Sequence, residues 1–312
     1  MRFLGRSLLV ILLASLGVAA TAEYSWATWA GGSRLLMYFT QRSLVNPAAG
    51  DGSAITVVGI TNQSTDTATR IAVNVVAPNC TSTGAIFFPL APRQTLRLAV
   101  ATLASPALFP EGFVDVRAVN NDGADIRFDQ LTGKILLIDQ GGPTPLAATH
   151  GAAALFSDDI RASGNSQGGL IADKSDPRTA GLLEGSAEFW GLGGPFGNNH
   201  RLILIPVSQN PGTAPGPDAP LVAFYPLAGG APVLAGSITP TCMVALPLSA
   251  LNADFAATFP GSGSIAEGGN LSVEQGPGGN KGFVGALLEF SELGIAISKL
   301  SARVTLVEAA YP

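Results

Sequence analysis

Short runs with a two-residue alternation of apolar and polar positions recur along the chain. Leu96, Leu98 and Val100 alternate with Thr95, Arg97 and Ala99, the pattern of a strand with one buried face. Residues 54–60 are β-branched and bounded by Asp51-Gly52 and a polar stretch, 61–67. Residues 70–76 form a second such run, ending before Pro78, and 85–88 a third, set off from 95–100 by Pro89 and Pro92. Residues 113–119 lead into Asn121-Asp122-Gly123 and 126–128 lead out, so an Asp-Gly hairpin is predicted there. A strand over 135–138 closes the first half.

The second half repeats this order. Residues 201–207 answer the run at Ile55 and 221–225 the run at Ile71. The phrase 90–98 lines up with 238–246 at a constant offset of about 148, and Phe109-Pro110 is echoed by Phe259-Pro260. Beyond that point the offset grows by about ten, which the Gly-rich stretch 261–270 absorbs as a longer loop. The hairpin is then matched to 271–275 and 283–288, and the strand at 135–138 to 295–297. Six or seven elements in one order read as a duplication, against a single large β domain with generic spacing.

Composition supports strands and turns. Of 312 residues, 47% are hydrophobic and only 12% charged, with 38 Gly and 22 Pro. Ordinary domains carry about a quarter charged residues, so the chain has ample apolar surface for a core and is not disordered. Many Gly and Pro with few aromatics argue against a helix bundle. A net charge of −5 offers no basic field for nucleic acid.

Arg2 and Arg6 precede an apolar run, 8–18, and then Ala20-Thr21-Ala22: the parts of a cleavable secretory signal. The run is shorter than the ~20 residues of a spanning helix. Cleavage after Ala22 leaves fifteen basic and 22 acidic residues, a net charge of −7. The expected destination is secreted, extracellular or cell-surface, with the periplasm as a further station. Export permits Cys80 and Cys242 to pair; the alternative is two isolated thiols. The expected organisation is all-β: a signal peptide over 1–22, one antiparallel Ig-like β-sandwich over 23–140, and a second over 182–312. The Gly/Ala/Ser/Pro-rich segment 141–181 is read as a linker or long loop, with one short helical turn within 149–159. A transmembrane barrel would want longer strands and aromatic girdles.

Candidate chemistry is sparse. Gly164-Asn165-Ser166-Gln167-Gly168 fits G-x-S-x-G, but no buried strand precedes Ser166 and no helix follows. His150 and His200 both stand in apparent loops. Asn120, Asp122 and Asp125 resemble the start of a calcium loop without its closing Glu, and hairpin turn chemistry is the simpler account. The Gly-rich stretch 191–197 has the wrong spacing for phosphate. No catalytic residue, metal ligand or cofactor site is nominated. Tyr24, Trp26, Trp29, Tyr38 and Phe39 cluster within the first 17 residues after the expected cleavage, as a cap on the first sandwich or as a face offered to a neighbouring subunit. Trp190, Phe196 and Tyr225 are the aromatics a carbohydrate-binding face would use.

The strand order, the Ile60-Thr61-Asn62 step and the Leu-x-Pro-x-x-Thr-Leu-x-Leu phrase at 90–98 resemble a loose group of uncharacterised exported bacterial β-sandwich proteins. The resemblance implies a fold and an address, and no site residue. The function expected is that of a non-enzymatic structural or adhesive component, self-associating or bound to cell-surface or matrix material. A carbohydrate- or ligand-binding module is the alternative, and a secreted hydrolase the more distant one. No nucleic-acid partner and no membrane-spanning segment of the mature chain are expected.

Overall fold

The computed structural model describes residues 32–155, 184–189, 200–207, 220–226, 233–238, 241–247, 269–275, 282–291 and 294–299. The expected signal peptide, Tyr24, Trp26, Trp29, Ser166, Trp190 and Phe196 lie outside the described residues.

The first half holds nine strands: β1 (Arg34–Thr40), β2 (Ala54–Asn62), β3 (Thr69–Val76), β4 (Ile86–Leu90), β5 (Thr95–Ala99), β6 (Glu111–Val119), β7 (Leu131–Asp139), β8 (Leu146–Gly151) and β9 (Ala153–Leu155). A four-residue helix, α1 (Val100–Leu103), follows β5. The second half adds β10 (Glu184–Phe189), β11 (His200–Pro206), β12 (Pro220–Pro226), β13 (Val233–Ser237), β14 (Val244–Pro247), β15 (Gly269–Gln275), β16 (Phe283–Ser291) and β17 (Gly294–Lys299). They form four sheets. Sheet I runs β4-β3-β6-β1-β9, sheet II β5-β2-β7-β8, sheet III β14-β11-β16-β17 and sheet IV β10-β15-β12-β13. Every ladder among the described residues is antiparallel.

The alternation in β2 does what its sequence implies: Val58 and Ile60 are fully buried while Ile55, Val57 and Gly59 are half-exposed. Those inward residues meet Leu35, Met37 and Phe39 of β1, Ile71, Val73 and Val75 of β3, and Val114 and Val116 of β6. Sheets I and II therefore face one another across one apolar core, a sandwich-like arrangement. Within sheet I, Gly112 in β6 lets β3 approach closely: a Cβ there would stand 2.1 Å from the carbonyl oxygen of Val76.

Sheet I differs from sheet II in being covered on both faces. Leu36 and Tyr38, which alternate with the core residues of β1, are as buried as their neighbours. With Val76 and Phe113 they pack against Ile203 and Ile205 of β11 and Ala286, Leu288 and Phe290 of β16. Sheet III is thus laid on the far side of sheet I, and β17 passes beside β8.

The strand orders of the two halves match. Advancing each of β5-β2-β7-β8 by nine strands yields the order of sheet III, and β4-β3-β6-β1 likewise yields β13-β12-β15-β10 of sheet IV. Three details depart from the sequence reading. Residues 126–128 form no strand, and β6 pairs with β3 and β1. The Asp-Gly turn closes a single bridge, Val119 to Asp125, before the chain crosses to sheet II as β7. Residues 146–151 and 153–155, read as linker or helical turn, are β8 and β9, each taken up by an open sheet edge. In topological position β16 answers β7 and β17 answers β8, one strand later than the sequence phrases suggest.

Phe39 is fully buried between sheets I and II. Phe39→Ala is expected to lower unfolding free energy by about 3–5 kcal/mol, measured as a lower urea midpoint at an unchanged m-value.

Candidate functional site

One cluster of buried polar groups lies where the second half covers sheet I. On a two-face-buried strand each polar side chain needs a partner, because desolvation without one costs several kcal/mol. β1 carries Arg34 and β6 carries Asp115, at 3% and 0% exposure. Arg34 donates from Nε to Oδ1 at 2.9 Å and from Nη2 to Oδ2 at 2.5 Å, a bidentate pair. Arg34 also stands opposite Arg117 in the ladder, a like-charge juxtaposition that destabilises a sheet. Asp115 neutralises the first guanidinium, and Asp125 accepts from Arg117 Nη1 at 3.0 and 3.2 Å.

Further along the same face lies a second node. Glu111, at the start of β6, accepts a hydrogen bond from the Tyr38 hydroxyl at 2.7 Å. It also receives Arg201 of β11, from Nη1 at 3.1 Å and from Nη2 at 3.2 Å. Arg201 Nη2 further donates to the Ala245 carbonyl at 3.3 Å, so one guanidinium ties β6 to β11 and β14. Burial raises the Tyr38 phenol well above its ordinary value, the Glu111 carboxylate adds to the rise, and Arg201 opposes it.

The third tie is covalent. Cys80 and Cys242 form a disulfide with Cα atoms 5.2 Å apart. Beside it Thr241 Oγ1 donates to the Pro78 carbonyl at 2.5 Å, and the Cys242 amide donates to the same oxygen at 3.2 Å. Cys242 and Met243 are buried among the apolar residues shared by the halves. The ends of sheets I and II are secured by other buried polar residues. Asp139 accepts from the amides of Leu44, Val45 and Gly141, and Gln41 donates to the carbonyls of Ala104 and Phe109. Asn62 donates to the carbonyls of Thr67, Leu90 and Ala91.

The other sequence candidates do not converge. His150 borders the seam where β17 passes β1, a gap too small for a ligand. His200 is buried in β11, its Nε2 3.9 Å from Glu289 Oε2. Asn120 Oδ1 accepts from the amides of Asp122 and Ala124 at 3.0 and 2.8 Å, and Asp125 is engaged by Arg117, so this loop is built by turn chemistry. Among the described residues no group of three or more His, Cys, Asp or Glu could hold a metal ion, and no helix is long and apolar enough to cross a membrane. Tyr225 lies in β12 opposite Asn270. Sequence reasoning missed Arg34, Glu111, Asp115 and Arg201. The available signal was a lone charge inside an apolar run, as in Phe113-Val114-Asp115-Val116.

No protein-family model and no curated protein matches the chain. Among solved structures it is similar to the protein in a crystal structure of Thermotoga maritima 1070, with 10% sequence identity over 40% of this chain and 95% of that one. The TM-score is 0.30, and a likeness of that size carries no argument about function.

Two predictions test the polar face. Arg34→Met strands a buried carboxylate and is expected to cost about 3–5 kcal/mol, whereas Arg34→Met with Asp115→Leu recovers most of the loss; chemical denaturation of the three proteins reads the difference. Tyr38 holds its proton in the fold more tightly than in the unfolded chain. The unfolded state therefore binds fewer protons once pH passes about 10, and stability falls as pH rises beyond it. Tyr38→Phe is expected to show a shallower decline of Tm between about pH 10 and 11 than the parent.

Proposed function

We propose that this chain is an exported, non-enzymatic structural or adhesive subunit of the cell surface or matrix, made of two Ig-like β-sandwich modules that arose by tandem duplication. The observation that carries the reading is the joint between the modules. Its surface is a continuous apolar layer reinforced by a disulfide, a bidentate Arg201–Glu111 pair and the Tyr38 hydroxyl. Modules that flex about a linker to close on a ligand have small, polar contacts. Here the contact is core-like and cross-linked, which suits a rigid building block. The matching strand orders of the two halves support duplication, and the paired cysteines suit an oxidising compartment outside the cytoplasm.

Fractionation of cells expressing the tagged chain, followed by protease shaving of intact cells, tests the assignment. The expected outcome is recovery in the surface or matrix fraction, accessible to protease, with no labelling of Ser166 by a serine-directed fluorophosphonate. Retention in the cytoplasm, or a labelled Ser166, would overturn it.

A further inference from the structure

The ladders of sheet I fix what surrounds Ala72 of β3 on the second face. Arg70 and Asn74 stand two residues to either side of it along the strand. Arg117 of β6 lies directly opposite on one side and Phe87 of β4 on the other. Ala72 is the smallest of the five, so the other side chains enclose it like walls about a floor. Arg70, Asn74 and Arg117 end in N–H donors, and Phe87 contributes an aromatic ring.

Two of those donors are unmatched. The buried Nδ2 of Asn74 and Nε of Arg117 have no hydrogen-bond partner, and Asn74 is only 4% exposed. Leaving such a group unpaired costs about 1–3 kcal/mol. Asp115 stands directly opposite Asn74, but both its oxygens are turned to Arg34. Asp125 accepts from Nη1 of Arg117 and leaves Nε alone. Arg70 donates to the Asn121 carbonyl at 2.6 Å and lies 4.3 Å from the centroid of the Phe87 ring. Among the described residues no carboxylate pairs with it. Arg34 balances Asp115 and Arg117 balances Asp125, so Arg70 leaves this corner of the sheet with an excess of positive charge. The donors call for an acceptor, and the charge calls for an anion.

The ring narrows the class of anion. Phe87 is 39% exposed and presents an apolar surface beside the donors. The Asp-Gly turn holds its edge, since a Cβ on Gly123 would stand 3.3 Å from Phe87 Cζ. Asp125, with 47% of its side chain exposed, places acceptor oxygens at the rim. Donors for a carboxylate, an apolar plate for a C–H face and acceptors for hydroxyls together match an acidic sugar. An inorganic oxyanion would use the donors alone.

We infer that this corner of sheet I binds the carboxylate of an acidic sugar residue through Asn74 Nδ2, Arg117 Nε and Arg70, with the pyranose face on Phe87 and hydroxyls on Asp125. That the sugar comes from a surface or matrix polysaccharide rests on the adhesive-subunit reading above. Ala72 and Asn74 are buried as the side chains stand, so the carboxylate enters through the rim. Arg70 and Arg117 are both half-exposed, and their long stems swing outward to admit the ligand and back to hold it.

Calorimetric titration of the full oxidised chain, purified from an export host, with trigalacturonate tests the inference. The parent is expected to bind it at least about tenfold more tightly than the carboxyl-reduced neutral trisaccharide or sodium sulfate. Asn74→Leu removes an unpaired buried donor, so it should weaken binding about tenfold while its urea midpoint holds or rises. A purely structural asparagine would lower the midpoint and leave binding alone. Phe87→Ala should weaken binding about threefold to tenfold with an unchanged circular dichroism spectrum, and it decides the matter with the three ligands if Asn74→Leu does not fold. A folded parent that ignores trigalacturonate at about 10 mM overturns the inference. So does equal affinity for the neutral sugar or for sulfate, or a folded Asn74→Leu protein that binds like the parent. A parent recovered at the cell surface that ignores trigalacturonate would remove this site alone. One that binds it yet stays in the cytoplasm would remove the structural-subunit reading alone.

Discussion

Covering both faces of sheet I is the constraint from which the rest of the molecule follows. A sheet with one face in water can spend alternate positions on polar residues at no cost. A sheet with neither face in water cannot, and β1 is buried at all seven positions. Polar residues on the second face are then answered within the protein, the buried Nδ2 of Asn74 and Nε of Arg117 excepted. Arg34 is answered by Asp115, Tyr38 by Glu111, and Glu111 by Arg201 across the joint. Removing sheet III would return these groups to water together with Leu36, Phe113 and Val76. The second half is thus a structural requirement of the first.

The same constraint explains the low charge of the chain. Charge is sparse because the stacking leaves few sheet faces for water: β1, β3 and β6 are buried almost throughout. The alternation survives in β2 and β7, which have an open face. A shortage of charge spread along a sequence can therefore record layering of sheets.

How much was legible follows from which strands keep that alternation. β2, β3, β5, β6 and β11 were readable because β-branched runs between Gly, Pro and Asp markers are local signals. β8 and β9 were not. Their Ala, Thr and Gly residues have little intrinsic preference, and they become strands because β7 and β1 offer open edges. The hairpin at Asn121-Asp122-Gly123 was half right: the turn forms, but which strand follows it depends on the sheet to which the chain returns. The polar nodes were illegible for a related reason. Arg34 and Asp115 lie 81 positions apart and Glu111 and Arg201 lie 90 apart, and a strand period of two says which face a charge occupies but not whose charge it meets. Cys80 and Cys242 could be paired on paper by count alone; that their bridge would cross the joint could not be read.

The position of that bridge has a mechanical meaning. When the two ends of a folded chain are pulled apart, tension runs along the backbone from one to the other. At Cys80 the load path passes through the sulfur atoms to Cys242 and omits the 162-residue separation between them. At 3.3–3.6 Å per residue, on the order of 550 Å of contour length is withheld from extension. Strands β4 to β13 sit inside the shunted segment. While the bridge stands, a pull on the ends can peel β1 to β3 and β14 to β17 but cannot extend what lies between.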